Sequence, residues 1–273
     1  MSRYDYNNRR GNQSDLILVG ATGRLGQSIV RNKPRRNAVS FGVCTSKNPL
    51  LGTKIEGIDN PLICKLKDID LKKLDEPILI DASYPNNFEN ILDFCSSKKI
   101  PLILVSTGHT NKQLEKLEEV STKIPILKAS NLSEGIIFFK LALLKPIIFN
   151  IYDKTSEIAF GPDLNDKHVK IKIIETHHDK KKDAPSGTAL EIKDYIRKVL
   201  GYLQNEIEIE SIRDKSSIGK HEVIFTINND EISVSHNALS RDIFGEGISL
   251  AVLIGDKEPG LYNMADLYED LAN

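Results

Sequence analysis

The chain has 273 residues, 40% hydrophobic and 27% charged, a balance that suits one large or two medium globular domains and excludes disorder along its whole length. With 37 basic and 38 acidic residues the formal net charge is −1, so no bulk field draws the protein to nucleic acid or to a membrane surface, and partners must be read from local sites. Cys44, Cys64 and Cys95 are odd in number, far apart and set in apolar segments, which fits buried thiols in a reducing compartment better than a disulfide framework or a zinc site. No apolar run approaches the roughly 20 residues that cross a bilayer, since Ile136 to Phe149 is broken by Lys140, Lys145 and Pro146. Met1 to Ser14 is polar and lacks the apolar core of a secretory signal, so it reads as a disordered leader and the expected location is cytoplasmic.

The first element is the apolar run Asp15 to Val19, which ends in Gly20-Ala21-Thr22-Gly23-Arg24-Leu25-Gly26 and continues into Gln27-Ser28-Ile29-Val30. Strand, glycine turn and helix follow one another as in dinucleotide-binding units, where glycines let the backbone approach a pyrophosphate and the helix N-terminus faces it. Val39 to Cys44, Pro77 to Asp81 and Ile100 to Val105 are further short apolar runs, and Phe88 to Lys98 and Asn111 to Val120 between them have helical periodicity. This alternation predicts a Rossmann-like doubly wound parallel α/β sheet. Ligands of such sheets lie at the carboxyl ends of the strands, at Gly20 to Gly26, Ser83-Tyr84-Pro85, Ser106-Thr107-Gly108 and Ala129-Ser130-Asn131. After the second strand comes Cys44-Thr45-Ser46-Lys47 with no carboxylate. Thr45 and Ser46 can donate to a 2′-phosphate and Lys47 with Arg24 can neutralise it, which favours NADPH over NADH.

From residue 155 the texture changes. Glu206 to Ile212, His221 to Ile227 and Glu231 to Ser235 alternate polar and apolar residues, with Asn228-Asn229-Asp230 as a tight turn. They predict a second, α+β domain with an open mixed or antiparallel sheet, whose uncovered alternating face is a candidate subunit interface. Two helices, one starting over Gly247 to Leu253 and one over Met264 to Leu271, are expected to finish the chain. The expected organisation is a dinucleotide-binding domain over 1–131, a substrate-binding and oligomerisation domain over 132–240, and a return to the first domain over 241–273.

The densest chemistry lies at Glu175-Thr176-His177-His178-Asp179-Lys180-Lys181-Lys182-Asp183-Ala184-Pro185-Ser186-Gly187-Thr188. Val169 to Ile174 reads as a strand delivering the two histidines at its end, and Ser186 or Thr188 can cap a helix that runs by its apolar spacing to Gly201. The Ser-Gly-Thr turn offers unpaired N–H groups to an anion, and His178 and Lys181 add cations, an inventory suited to a dicarboxylate. Histidine supplies a proton donor whose pKa lies near neutrality. His177 and His178 point to opposite sides of a strand and no third ligand has recognisable spacing, so no metal site is expected. The glycine turn alone leaves open a dehydrogenase for an amino-acid semialdehyde or sugar acid, or a non-catalytic nucleotide-binding protein.

The run from Glu175 to Thr188, together with Gly20 to Gly26, Ser106-Thr107-Gly108, Ser130-Asn131-Leu132-Ser133 and Arg241, resembles the 4-hydroxy-tetrahydrodipicolinate reductase family, also called dihydrodipicolinate reductases, over nearly the whole chain. The resemblance implies reduction by NADPH or NADH of the dehydrated imine of 4-hydroxy-tetrahydrodipicolinate to tetrahydrodipicolinate, in lysine and diaminopimelate biosynthesis. It implies His177 as general acid, Lys181 as second proton donor, and His178, Gly187 and Thr188 as ligands of the substrate carboxylates. Cofactor contacts are implied for Gly20, Ala21, Thr22, Gly23, Arg24 and Leu25, for Val105, Ser106 and Thr107, and for Ala129, Ser130, Asn131 and Leu132. A homotetramer built by the second-domain sheet is also implied.

Overall fold

A computed structural model describes residues 14–152, 169–200, 207–227 and 229–272. The polar leader, the helix end at Gly201, the strand start at Glu206 and the first turn residue Asn228 lie outside them. The described residues divide into two compact units, 14–133 with 241–272, and 134–240. No described helix is long and apolar enough to cross a membrane.

In the first unit, β1 (Asp15–Val19), β2 (Ala38–Val43), β3 (Ile78–Asp81), β4 (Leu102–Leu104) and β5 (Pro125–Lys128) pair in parallel, and β10 (Gly260–Tyr262) adds an edge beside β5, in the order β10-β5-β4-β3-β1-β2. Parallel strands flanked by helices are buried on both faces, and Leu16, Ile17, Leu18, Leu79, Ile80, Leu102 and Ile103 have no exposure at all. One face packs on α2 (Phe88–Lys98) and α3 (Asn111–Ser121) through Phe88, Ile91, Leu92, Leu117 and Val120. Thr110 and Gln113 close a capping box at the start of α3, each accepting from the other's backbone N–H. The order reverses between β1 and β3, the switch point at which such sheets open a ligand crevice.

The C-terminal segment belongs to this unit. Ser28 on α1 (Arg24–Asn32) donates to the Asp242 carbonyl at 3.1 Å, Arg31 pairs with the Asp242 carboxylate, and Gly247 lies so close to Leu132 that a Cβ there would stand 1.7 Å from its carbonyl oxygen. Where one helix is expected from Gly247, two short helical turns, Ile243–Glu246 and Ile248–Ala251, and a tighter turn over Val252–Asp256 are found. Strand β10 has no counterpart among the elements expected from sequence. Three residues, Gly-Leu-Tyr, are too few to show a period, and their pairing with β5 is a tertiary event.

In the second unit, α4 (Glu134–Phe138), a π-helical turn (Phe139–Leu144) and α5 (Lys145–Tyr152) precede β6 (Val169–His177), α6 (Gly187–Val199), β7 (Ile207–Arg213), β8 (Lys220–Ile227) and β9 (Asp230–Asn237). The sheet order is β7-β6-β8-β9. β8 and β9 run antiparallel to their neighbours, whereas β7 runs parallel to β6, because α6 carries the chain back to the end where β6 began. The inner face, Ile171, Ile173, Val223 and Phe225, packs on Ala189, Ile192 and Ile196 of α6 and on Phe139, Leu144 and Ile148. The outer face is less apolar than its alternation suggests: Lys172 bridges to Glu208 and Glu210 at 3.3 and 2.7 Å, with only Ile174, Ile212 and Ile224 among the charges. Lys140 is buried at 2% exposure and is neutralised by Glu191.

All three cysteines are free; Cys44 and Cys95 are buried and Cys64 is half-buried, in place of the full burial expected for it. Burial first, and then Cys64, raises the pKa of the Cys44 thiol.

Candidate active site

Because β1 to β5 are parallel, their carboxyl ends share one edge, and that edge gathers segments far apart in sequence: the glycine turn after Val19, Thr45 to Lys47 after β2, Ser83 after β3, Val105 to Thr107 after β4, and Ala129 to Leu132 after β5. Gly20 has a φ of +82°, and a Cβ there would lie 2.5 Å from the Ala82 carbonyl oxygen, so only glycine lets the turn sit against the next loop. Gly26 stacks equally close on Gly20. Gly23 caps α1 without a side-chain hydrogen bond, which leaves the helix N-terminus able to take a phosphate, and the tight glycines give it room. These residues therefore fit a dinucleotide. Arg24, Thr45, Ser46 and Lys47 are exposed, and Asn48 donates to the Thr22 hydroxyl at 2.8 Å, tying the turn to the segment after β2.

Behind this edge sits a buried carboxylate to which the sequence alone assigns no role. Asp81 accepts from the Ser106 hydroxyl at 2.7 Å and from the Ser83 N–H at 2.9 Å, while its carbonyl accepts from the N–H groups of Val105 and Ser106. It locks the loops after β3 and β4 to one another.

In the second unit, β6 ends at His177, and His178 opens the turn that leads through Lys181 to α6. Ser186 caps α6 by accepting from the Ala189 N–H at 3.1 Å, so the cap is Ser186 and not Thr188, which is buried in the first turn. The Ala184–Pro185 bond is cis. The Lys181 N–H donates to the His178 carbonyl at 3.1 Å and its ammonium to Asp183 at 2.8 Å. Glu175, fully buried one pleat back on β6, accepts from His177 Nδ1 and, at 3.0 Å, from Arg213. Arg213 also donates to the Asp183 carbonyl at 2.7 Å, and the Asp214 N–H donates to the His177 carbonyl at 2.8 Å. His221 on β8 stands edge-on to His177, with ring centroids 5.2 Å apart, and shares a 3.3 Å hydrogen bond with Ser186. No cluster able to hold a metal ion occurs among the described residues.

A glycine-turn domain and a Glu-His-Lys cluster at a helix start are the two halves matched by known families. Residues 14–132 match the family model described as dihydrodipicolinate reductase, N-terminus, and residues 150–268 the one for its C-terminus. The chain belongs to the dihydrodipicolinate reductase family. A relative named 4-hydroxy-tetrahydrodipicolinate reductase from Caldanaerobacter subterraneus subsp. tengcongensis is 34% identical over 92% of this chain and 97% of its own length. One of the same name from Buchnera aphidicola subsp. Schizaphis graminum is 31% identical over 93% and 97%. Among solved structures, the dipicolinate-bound dihydrodipicolinate reductase of Paenisporosarcina sp. TG-14 superposes with a TM-score of 0.66 over 92% of this chain and 98% of that one; at 18% identity it attests the fold.

The electrostatics of this reductase-family cluster are set by burial and by the crossed charges around His177. Burial lowers the His177 pKa, the Glu175 carboxylate raises it, and Lys181 and Arg213 lower it again, with a net result below the ordinary histidine value. Burial pushes Glu175 up, but hydrogen bonds from Ser211, His177 and Arg213 outweigh it and hold the carboxyl below its usual range. Asp183 is likewise raised by burial and brought down on balance by Lys181, its own N–H and the Gly187 N–H. Burial, aided by His177, His236 and Lys181, drives His221 down to about 3. Glu175 could have been found from sequence, since residues 175 and 177 share one face of a strand. Arg213, Ser211 and His221 could not, because only the sheet register brings them beside it.

His221 gives a stability prediction. Its pKa is about 3 in the fold against 6.5 for a free histidine side chain, so the unfolded chain binds the extra proton between those limits and stability is lost as pH falls from about 6.5 towards 3. The loss from this group approaches about 1.4 kcal/mol per pH unit. Denaturant unfolding at pH 7 and pH 5 should show a smaller difference for His221→Gln than for the wild type; equal differences would refute the assignment.

Proposed function

We infer that the protein reduces the imine derived from 4-hydroxy-tetrahydrodipicolinate with NADPH or NADH, giving tetrahydrodipicolinate for lysine and diaminopimelate biosynthesis. The observation that carries this reading is one cluster in a reductase-family chain that combines a buried histidine, a lysine four residues on and a helix start whose Gly187 N–H already holds a carboxylate, that of Asp183. The nicotinamide, when bound, supplies hydride. The chain supplies the proton and the grip on the substrate: His177 is the general acid towards the imine nitrogen and Lys181 the second donor. His178 and the N–H groups of Gly187 and Thr188 take a carboxylate, for which a helix start is suited. Asp183 already engages the Lys181 ammonium and the Gly187 N–H, so a substrate carboxylate binds there in exchange for Asp183.

Residues 20 to 25, 105 to 107 and 129 to 132 hold the cofactor. We favour NADPH, because Thr45, Ser46 and Lys47 follow β2 without a carboxylate and because the Arg241 guanidinium feels burial and then the charge of Arg24, two cations that an intervening phosphate would satisfy. The free cysteines support a reducing, cytoplasmic setting. A homotetramer assembled through the outer face of the second sheet would cover Ile174, Ile212 and Ile224.

Steady-state oxidation of cofactor with freshly generated 4-hydroxy-tetrahydrodipicolinate tests the activity. His177→Ala and Lys181→Ala should each lower kcat by about 10²- to 10⁴-fold with little change in cofactor affinity. If His177 acts as an acid, kcat/KM falls as pH rises through a pKa below 6.5, while the limb in kcat lies higher because the bound dianion favours the imidazolium. Wild-type turnover in both variants would sink the assignment. Lys47→Glu should cut the NADPH to NADH ratio of kcat/KM by about tenfold or more; an unchanged ratio argues against the phosphate role. Light scattering should give four times the chain mass, and a stable monomer would contradict the assembly.

A further inference from the structure

We propose that Glu175, anchored by Ser211 and Arg213, is the positioning residue for His177: it holds the imidazole with Nδ1 as the donor, so that Nε2 is the nitrogen presented for proton transfer. The inference rests on the reading of His177 as general acid and deepens it.

Glu175 occupies a place where the fold calls for an apolar residue. Along the inner face of β6 the buried positions run Ile171, Ile173, Glu175, His177, opposite Phe225, Val223 and His221 on β8. A carboxylate with no solvent exposure is costly, and exchanging a buried ionic network for well-packed apolar side chains is often neutral or stabilising. Packing alone therefore gives no reason for it. Its contacts do: one oxygen meets His177 Nδ1, the other takes Arg213 at 3.0 Å, and Ser211 donates from the register-paired position on β7.

His177 is constrained on several sides. Its carbonyl is held by the Asp214 N–H, and its ring meets the edge-on ring of His221. Among the described residues the ring makes its hydrogen bond only through Nδ1, leaving Nε2 unclaimed. The charged and titratable groups facing it are Glu175, Lys181, Arg213 and His221, with Asp183 bonded to both Lys181 and Arg213. His221 stays neutral to about pH 3 and does not compete for the proton. Lys181 and Arg213 disfavour an imidazolium, so among the described residues Glu175 is the facing anion that supports the charged, proton-donating form. A carboxylate accepts only, whereas a carboxamide there could donate to Nδ1 and stabilise the opposite tautomer.

The test compares wild type, Glu175→Gln, Glu175→Asp, His177→Ala and the double variant Glu175→Gln/His177→Ala on the full chain, by pH profiles of kcat/KM and by ¹⁵N shifts of the His177 ring. Glu175→Gln is expected to reduce kcat/KM at neutral pH by about 10²-fold and to move the alkaline limb down by about one pH unit or more. In the His177→Ala background the same change should cost nothing further, because the effect passes through His177. Should Glu175→Gln fail to fold, Glu175→Asp keeps the charge and withdraws it by one methylene; it should lower kcat and weaken the Nδ1–H signature. Wild-type rate, limb and ring shifts in the folded Glu175 variants, alongside a crippled His177→Ala, would overturn the positioning role. A fully active His177→Ala would instead overturn the underlying assignment of the acid.

Discussion

A single buried carboxylate ties together the chemistry of the second unit. Glu175 lies where three strands meet in register, with Ser211 on one side and His221 on the other, and it is tolerable in a dry position only because three donors converge on it. The same contacts orient His177 and, through Arg213 and the Asp183 carbonyl, brace the turn that carries Lys181. One misregistered strand pair would remove a donor and leave an unpaired charge in the core.

The first unit reaches a comparable result with neutral means. Parallel pairing brings five strand ends to one edge, glycines at 20 and 26 let the backbone close tightly, and Asp81 pins the loops after β3 and β4 together. In both units a fully buried acid organises the loop and strand ends around it without facing solvent itself. The acids answer to different geometry: Asp81 is satisfied by hydroxyl and backbone donors, Glu175 by cationic and imidazole donors.

Charge crossing around His177 accounts for its protonation behaviour. Burial and two nearby cations press the ring towards neutrality, and one carboxylate opposes them. A dianionic substrate would add to the carboxylate's side and favour the imidazolium. His221, buried deeper and lacking a carboxylate partner among the described contacts, is held neutral instead. Both histidines, one strand apart, are thus held below the ordinary value, and at His177 a carboxylate opposes the shift.

Much of this was legible in the chain itself. The apolar runs announced the parallel sheet, the glycine turn its binding edge, and the ordered run from Glu175 to Thr188 placed His177, Lys181 and a helix start within a few residues, because strand, turn and cap signals act over short range. Alternation in the second half correctly gave the strands but could not give the direction of β7, which follows from the α6 crossover, nor β10, whose three residues carry no period. The outer sheet face, read as apolar from its alternation, carries a Lys-Glu lattice that only pairing reveals. The amino-acid order by itself determined which groups were available and which short elements carry them. Tertiary structure decided which of them meet, since Arg213 and His221 reach Glu175 only through strand register, a long-range pairing with no local signature.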